Sequence, residues 1–185
     1  MIRPLEKTAM RYRVAVMFAL SLSLPGVLMM SAPNAACARA ITEVPQIGEA
    51  SVTPVAAPYD APEKAPAAVA AAFEKAKAEK KSVLLDFGGN WCPDCRILAG
   101  IFALPAVDTW LKQNFEVVSV NVSRFKTNMD IAQKYGVTVT SVPTVLIVTP
   151  EGKALNTDGS KDLGNARRMS SQAVVNLIAG WAARD

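Results

Sequence analysis

Apolar positions beyond residue 66 recur in two alternating periods, and the alternation predicts helices and strands in turn. Over 67–81, Val69, Phe73 and Ala76 fall at helical spacing. Pro66 suits a first turn, and Lys75, Lys77, Lys80 and Lys81 sit where the helix dipole favours cations. The run SVLLDFG over 82–88, closed by Gly88 and Gly89, reads as a buried central strand. A helix starts at Cys92 and Pro93 and runs to about residue 102; Pro105 interrupts it, and Val107, Trp110 and Leu111 resume the pattern. A second strand is expected over 115–122, a helix ended by Gly136 over 128–135, and a third strand over 144–149. Pro150, Glu151 and Gly152 then turn the chain into a short fourth strand over 153–155. Val174, Leu177, Ile178 and Trp181 mark a last amphipathic helix after Ser170 and Ser171.

The order α β α β α β β α predicts a three-layer α/β/α domain over 67–185 with a mixed central sheet of four strands. A fifth is added if 52–55 pairs. Strands separated by helices are expected to pair in parallel, and the terminal hairpin to add an antiparallel strand. Trp110, Trp181, Phe102 and Phe125 read as core or ordinary surface residues, and 161–168 as a solvated loop.

Ahead of this domain the pattern changes twice. Residues 1–13 carry Arg3, Lys7, Arg11 and Arg13, and 14–30 are apolar, followed by small residues. That is the order of a secretory signal over 1–40, cut at Ala36-Cys37-Ala38 or Ala38-Arg39-Ala40; an uncleaved membrane anchor is the alternative. Cys37 is either removed with the leader or lipid-modified, although Asn34 stands where a lipidation signal has Leu. Residues 41–66 are rich in Pro and Ala, lack sustained periodicity and read as an arm or linker.

The 185 residues include three Cys and no His. Without histidine, Ser-His-Asp and Cys-His nucleophile systems and His-ligated metals are excluded. Removing 1–40 takes five of the 20 basic and one of the 16 acidic residues, leaving 15 of each, so no basic face argues for nucleic acid.

Trp91-Cys92-Pro93-Asp94-Cys95 stands where a strand gives way to a helix. Two cysteines so spaced in a first helical turn can bring their sulfurs within bonding distance. Unpaired amides and the helix dipole stabilise a thiolate at Cys92, while Cys95 lies one turn inside. Cys92 is therefore expected to attack a partner disulfide and Cys95 to resolve the mixed disulfide. Asp86 interrupts an apolar strand, where burial raises its pKa and suits it to move protons for Cys95; a backbone-bonded Asp at a strand end is the plainer reading. Val142-Pro143-Thr144 places a proline at a strand start.

These residues together, VLLDF-GGN-WCPDC followed by SVPTVLIV and a PEGK turn, resemble the thioredoxin superfamily over 82–155, and in element order over 67–183. The resemblance implies a redox-active Cys92–Cys95 disulfide as the only cofactor, Asp86 as the buried carboxylate and Pro143 as a cis-proline. It further implies that Trp91, Pro93, Asp94, Val142 and Pro143 contact substrate, the Val142 backbone by strand pairing. The exported thioredoxin-like reductases are most similar, among them the C-terminal reducing domain of the bacterial thiol:disulfide interchange protein. In that family a lysine on the second strand usually faces the buried carboxylate; here Ser119 stands in its place. Pro93-Asp94 also replaces the Gly-Pro of thioredoxin proper, and two extra residues separate Gly136 from Pro143.

Asp94 bears on direction. At about 7 Å and an effective dielectric of about 20 to 80, its carboxylate opposes a Cys92 thiolate by roughly 0.6 to 2.4 kcal/mol, which favours a reductant; Arg96 offsets part of this, and an acid that merely complements the helix dipole is the plainer reading of Asp94. The expected activity is that of an exported, periplasmic, monomeric thiol:disulfide reductase acting on exported proteins with disulfides. In an oxidising compartment it needs a membrane electron donor. A redox-inactive adaptor and a Cu(I)-handling dithiol are the competing readings.

Overall fold

Seven consecutive buried residues require a strand covered on both faces, and Ser82–Gly88 (β1) has that place. The computed structural model describes residues 40–48 and 50–184; residues 1–39 of the expected leader, Cys37 among them, lie outside them. In chain order the elements are a single 3₁₀ turn (Pro62–Lys64), α1 (Ala65–Glu79), β1, α2 (Pro93–Phe102), α3 (Pro105–Asn114), β2 (Phe115–Asn121), α4 (Met129–Gln133), β3 (Thr144–Val148), a 3₁₀ helix (Asp162–Arg168) and α5 (Ser171–Ala182). Among the described residues no helix is long and apolar enough to cross a membrane.

The sheet has three strands in the order β2-β1-β3, with β2 parallel and β3 antiparallel to β1. Alternation divides the core into two layers. Val83, Leu85 and Phe87 pack with α1 and α4, whereas Leu84, Val145 and Ile147 pack under α2, α3 and α5. Asp86 shares the face of Leu84 and so lies under α2.

The expected parallel pairing of β3 is corrected. The five-residue α4 does not carry the chain back across the sheet; β3 starts beside the end of β1, with Thr144 opposite Phe87, and runs the other way. This reversal sets Pro143 next to the turn that follows β1. The expected fourth strand is corrected too, and survives as a single bridge between Val148 and Ala154. Side-chain and loop groups take over the free edge of β3. The Asn156 side chain accepts from the Ile147 N–H (2.8 Å) and donates to the Val145 carbonyl (2.9 Å), and the Val145 N–H donates to the Ser160 carbonyl (2.7 Å).

The arm is not a free tether. Ile41, Val44, Ile47 and Val52 pack on the α3–α5 layer. Side-chain amides receive its backbone: the Thr42 N–H donates to Asn114 Oδ1 (2.7 Å) and the Ile47 N–H to Gln172 Oε1 (2.7 Å). Segment 52–55 joins no strand; the Val55 N–H donates to the Arg96 carbonyl on α2 (3.0 Å). Such an arm needs no periodicity, because side chains rather than a ladder satisfy it. Segment 161–168 is not a solvated loop either, since Leu163 and Ala166 are buried and the 3₁₀ helix packs on α2.

The arm crosses α2 at Gly100, where a Cβ would collide with the Thr53 carbonyl and the Val52 side chain. Overpacking of this kind costs about 1 to 3 kcal/mol. Gly100→Ala is therefore expected to raise the detached population of the arm on the order of ten- to a hundredfold. Limited proteolysis should read this as faster cleavage within 41–58 of an intact domain, and an unchanged rate would show that the arm is not seated there.

Candidate active site

β1 ends at Gly88, and a tight turn closed by the Cys92 N–H on the Gly89 carbonyl (3.0 Å) delivers the chain to α2. Pro93 occupies the first turn, where its missing N–H costs nothing. Cys92 is the N-cap: its sulfur accepts from the Cys95 N–H at 3.2 Å, the place a Ser or Asp oxygen takes in other helices. Its thiol also donates to the Val142 carbonyl at 3.6 Å, and the Val142–Pro143 bond is cis, as expected. Val142 is half-buried, Pro143 buried and Pro93 exposed.

The two cysteines are a hydrogen-bonded pair of thiols in unequal surroundings. The Cys95 thiol and the N–H groups of Cys95 and Asp94 bring Cys92 down to about 7 against the cost of burial. Cys95 is fully buried, and its bond to Cys92, followed by burial and the Asp86 charge, pushes its thiol far up. This is the asymmetry expected from their spacing.

Asp86 is 2% exposed, and burial raises it to about 7 although a hydrogen bond from Tyr59 pulls the other way. The Tyr59 hydroxyl donates to Asp86 Oδ2 at 2.7 Å, and Oδ1 has no hydrogen-bond partner. The plainer reading of Asp86, a backbone-bonded strand end, is thereby set aside. Ser119 is the register partner of Asp86 on β2, but the hydrogen bond to the carboxylate comes from the arm.

Asp94 is also buried, and its charge is shared with the 3₁₀ helix. The Arg167 N–H and Nε donate to Oδ1 and Oδ2, each at 3.0 Å. Its opposition to the Cys92 thiolate is the smallest of the influences on that thiol, while its own N–H supports the thiolate. The weight placed on Asp94 in the sequence reading is corrected accordingly.

Trp91 is 37% exposed beside Cys92, and its indole Nε1 donates to the Ser123 carbonyl. Phe125 meets it edge-on at 5.8 Å between centroids and Arg124 lies 5.0 Å over the ring, so Phe125 is part of the site surface rather than ordinary exterior. Sequence reasoning missed Tyr59, Arg167 and Phe125. Tyr59 had one signal, as the single aromatic residue of the arm; Arg167 and Phe125 had none, since only folding brings them to α2 and Trp91.

Among the described residues no three or more His, Cys, Asp or Glu side chains converge as metal ligands would. A cleft of about 550 Å³ lies between the arm, α1 and the β2 edge, lined by residues such as Ala57, Lys64 and Glu116, away from the dithiol. The chemistry, not the concavity, marks the site.

Comparison with known proteins agrees with this geometry. The thioredoxin-like family model matches residues 64–150. A thioredoxin-like protein of Fusarium culmorum is 26% identical over 110 residues, 60% of this chain and 86% of that protein. A thioredoxin of Griffithsia pacifica is 37% identical over 78 residues, 42% of this chain and 64% of that one. The crystal structure of a disulphide isomerase from Xylella fastidiosa Temecula1 superposes with a TM-score of 0.62 at 35% identity, covering 66% of this chain and 95% of the other. Likeness of both sequence and backbone across nearly the whole of a solved relative is likeness by descent, and the chain belongs to the thioredoxin superfamily.

Proposed function

We propose that this protein is an exported thiol:disulfide oxidoreductase working in the reducing direction on disulfides of exported proteins. One observation carries the reading: the Cys92 sulfur is the capping acceptor of α2, with the Cys95 thiol directly behind it. A sulfur in that place is ionised near neutral pH and is nucleophilic. It attacks a partner disulfide, one partner sulfur leaves as a thiolate, and Cys95 then attacks Cys92 to release the other. Ionisation also removes the Cys92 proton from the Val142 carbonyl, which becomes free to accept a backbone N–H of the partner in strand-like pairing. Trp91, Pro93 and Phe125 supply the surrounding contact surface, and Asp94 braces α2 through Arg167.

The reducing direction is supported by how far Cys92 is lowered. Strongly oxidising dithiols hold their attacking cysteine near about 3.5, which stabilises the reduced form, whereas a value of about 7 accompanies reductants. Export is supported by the basic and apolar order of residues 1–40, and a reductase so placed draws electrons from a membrane donor.

Cys95→Ser should accumulate mixed disulfides with partner proteins on non-reducing gels, and Cys92→Ser none. A Cys95→Ser protein that captures nothing would leave an adaptor or Cu(I) carrier instead. Equilibration with glutathione should place the dithiol below about −230 mV; a value near about −120 mV would reverse the direction.

Asp86 adds a stability signature. Its folded-state value of about 7 lies above the ordinary 3.8, so folding favours the protonated acid. That contribution is complete below about pH 4 and is lost as pH rises to 7, up to about 4 kcal/mol. Asp86→Asn is expected to leave stability nearly unchanged at pH 4 and to raise it at pH 8, measured by denaturant unfolding of the reduced protein. A variant destabilised equally at both pH values would show that the carboxylate is structural.

A further inference from the structure

Tyr59 is buried to 3% exposure although it belongs to an arm of Pro and Ala. Asn90, two residues before Cys92, clamps its backbone on both sides: Asn90 Oδ1 accepts from the Tyr59 N–H and Nδ2 donates to the Tyr59 carbonyl, each at 2.9 Å. The arm is thereby bolted to the turn that carries the dithiol. The ring closes a small cluster with Cys92 and Cys95; its hydroxyl donates to Asp86, and the Cys95 sulfur lies beside that hydroxyl over Gly88. Gly88 leaves the room for this, because a Cβ there would collide with the Tyr59 hydroxyl and the Cys95 sulfur. The hydroxyl is the only hydrogen-bond donor to Asp86 among the described residues.

We propose that the Tyr59 hydroxyl bridges Asp86 and Cys95 as a proton relay, so that the arm completes the resolving half of the dithiol chemistry. The inference rests on the thiol:disulfide reading above. With a partner sulfur bonded to Cys92, the Cys95 thiol passes its proton to Tyr59 Oη as Tyr59 passes its own to Asp86 Oδ2. The Cys95 thiolate attacks the Cys92 sulfur and the Cys92–Cys95 bond forms. The bond to the partner breaks, and its electron pair leaves with the partner thiolate, which takes a proton from water. The dithiol has lost two electrons and the partner disulfide has gained them. When a donor dithiol reduces the pair, Cys95 leaves as a thiolate and recovers the proton from Asp86 through Tyr59. No proton then has to cross the dry interior between the two half-reactions.

The surroundings suit this path. Burial pushes the Tyr59 phenol far up, so it hands a proton on in one motion and does not rest as a phenolate. Cys95, pushed up likewise, needs a base. The titratable groups facing the path are Tyr59 from the arm, Asp86 from β1, and Cys92 and Cys95 from α2, with Asp94 acting on Cys92. β2 and β3 set Ser119 and Val145 beside Asp86, neither charged.

The test uses the reduced protein and the aromatic disulfide dithiobis(nitrobenzoate). One coloured thiolate is released when Cys92 attacks and a second when Cys95 resolves. Tyr59→Phe, which keeps the ring, should leave the first release within about twofold and slow the second on the order of a hundredfold at pH 7. Wild-type resolution should level off above about pH 7, whereas in Tyr59→Phe it should keep rising with pH as the unassisted thiol ionises. Asp86→Asn should slow the second release similarly, and the double variant no further. If Tyr59→Phe does not fold, Asn90→Ala releases the clamp without altering the phenol and should show the same selective slowing. A second release with wild-type rate and pH profile in the Tyr variant, or in Asn90→Ala where that stands in for it, overturns the relay. A wild-type protein that gives no second release overturns the oxidoreductase reading instead.

Discussion

The N–H of Cys95 pointing at the sulfur of Cys92 is the contact on which the rest of the site depends. A helix must find acceptors for its first amides, and an oxygen would satisfy that need without any chemistry. With sulfur in the capping place, the same amides that terminate the helix hold a thiolate. Because the cap and the second cysteine are one turn apart, in the proposed reaction the residue whose N–H stabilises the attacking sulfur also carries the thiol that resolves it. In that reading the strand-to-helix turn serves the fold and the reaction at once.

A cap alone does not give a cycle, because a fully buried thiol one turn inside the helix holds its proton tightly. In the proposed cycle the base is the acid that stands where an apolar strand would otherwise be continuous. Asp86 lies on the α2 face of β1, so strand alternation alone aims it under the dithiol. The site is dry enough to keep the acid near neutrality and polar enough, through Tyr59, to give one of its oxygens a donor. The unpartnered oxygen is a local destabilisation, of the kind proteins keep where chemistry needs it.

The charge next to the dithiol is handled by distance in sequence rather than by composition. Asp94 carries a negative charge within the first turn of α2, and Arg167, 73 residues away, meets it with two hydrogen bonds. The carboxylate therefore acts as a brace between α2 and the 3₁₀ helix more than as a brake on Cys92. On the other side of the sulfur, three residues of the 123–128 loop adopt left-handed backbone, Ser123 (φ 53°), Phe125 (φ 61°) and Asn128 (φ 57°), and present Arg124 and Phe125 to Trp91. Side chains other than glycine enter that region at a cost, which packing around Trp91 and the Asn128 bonds to Pro62 and Asn121 offset.

Periodicity determined the helices and the three strands of the sheet, because burial on one face or both imposes a repeat on any element that packs. The spacing of Cys92 and Cys95, the solitary Asp86 and the Val142-Pro143 pair were equally readable, since their chemistry is set by positions within one turn or one strand. Tertiary structure decided what no repeat encodes. The direction of β3 followed from where the chain re-enters the sheet, and the loss of the fourth strand followed from the Asn156 amide occupying the edge of β3. The partner of Asp86 came from the arm, and that of Asp94 from a segment that read as solvated loop. An arm whose backbone is received by Asn90, Asn114 and Gln172 side chains carries no pattern of its own, because side-chain acceptors impose no period on the segment they hold.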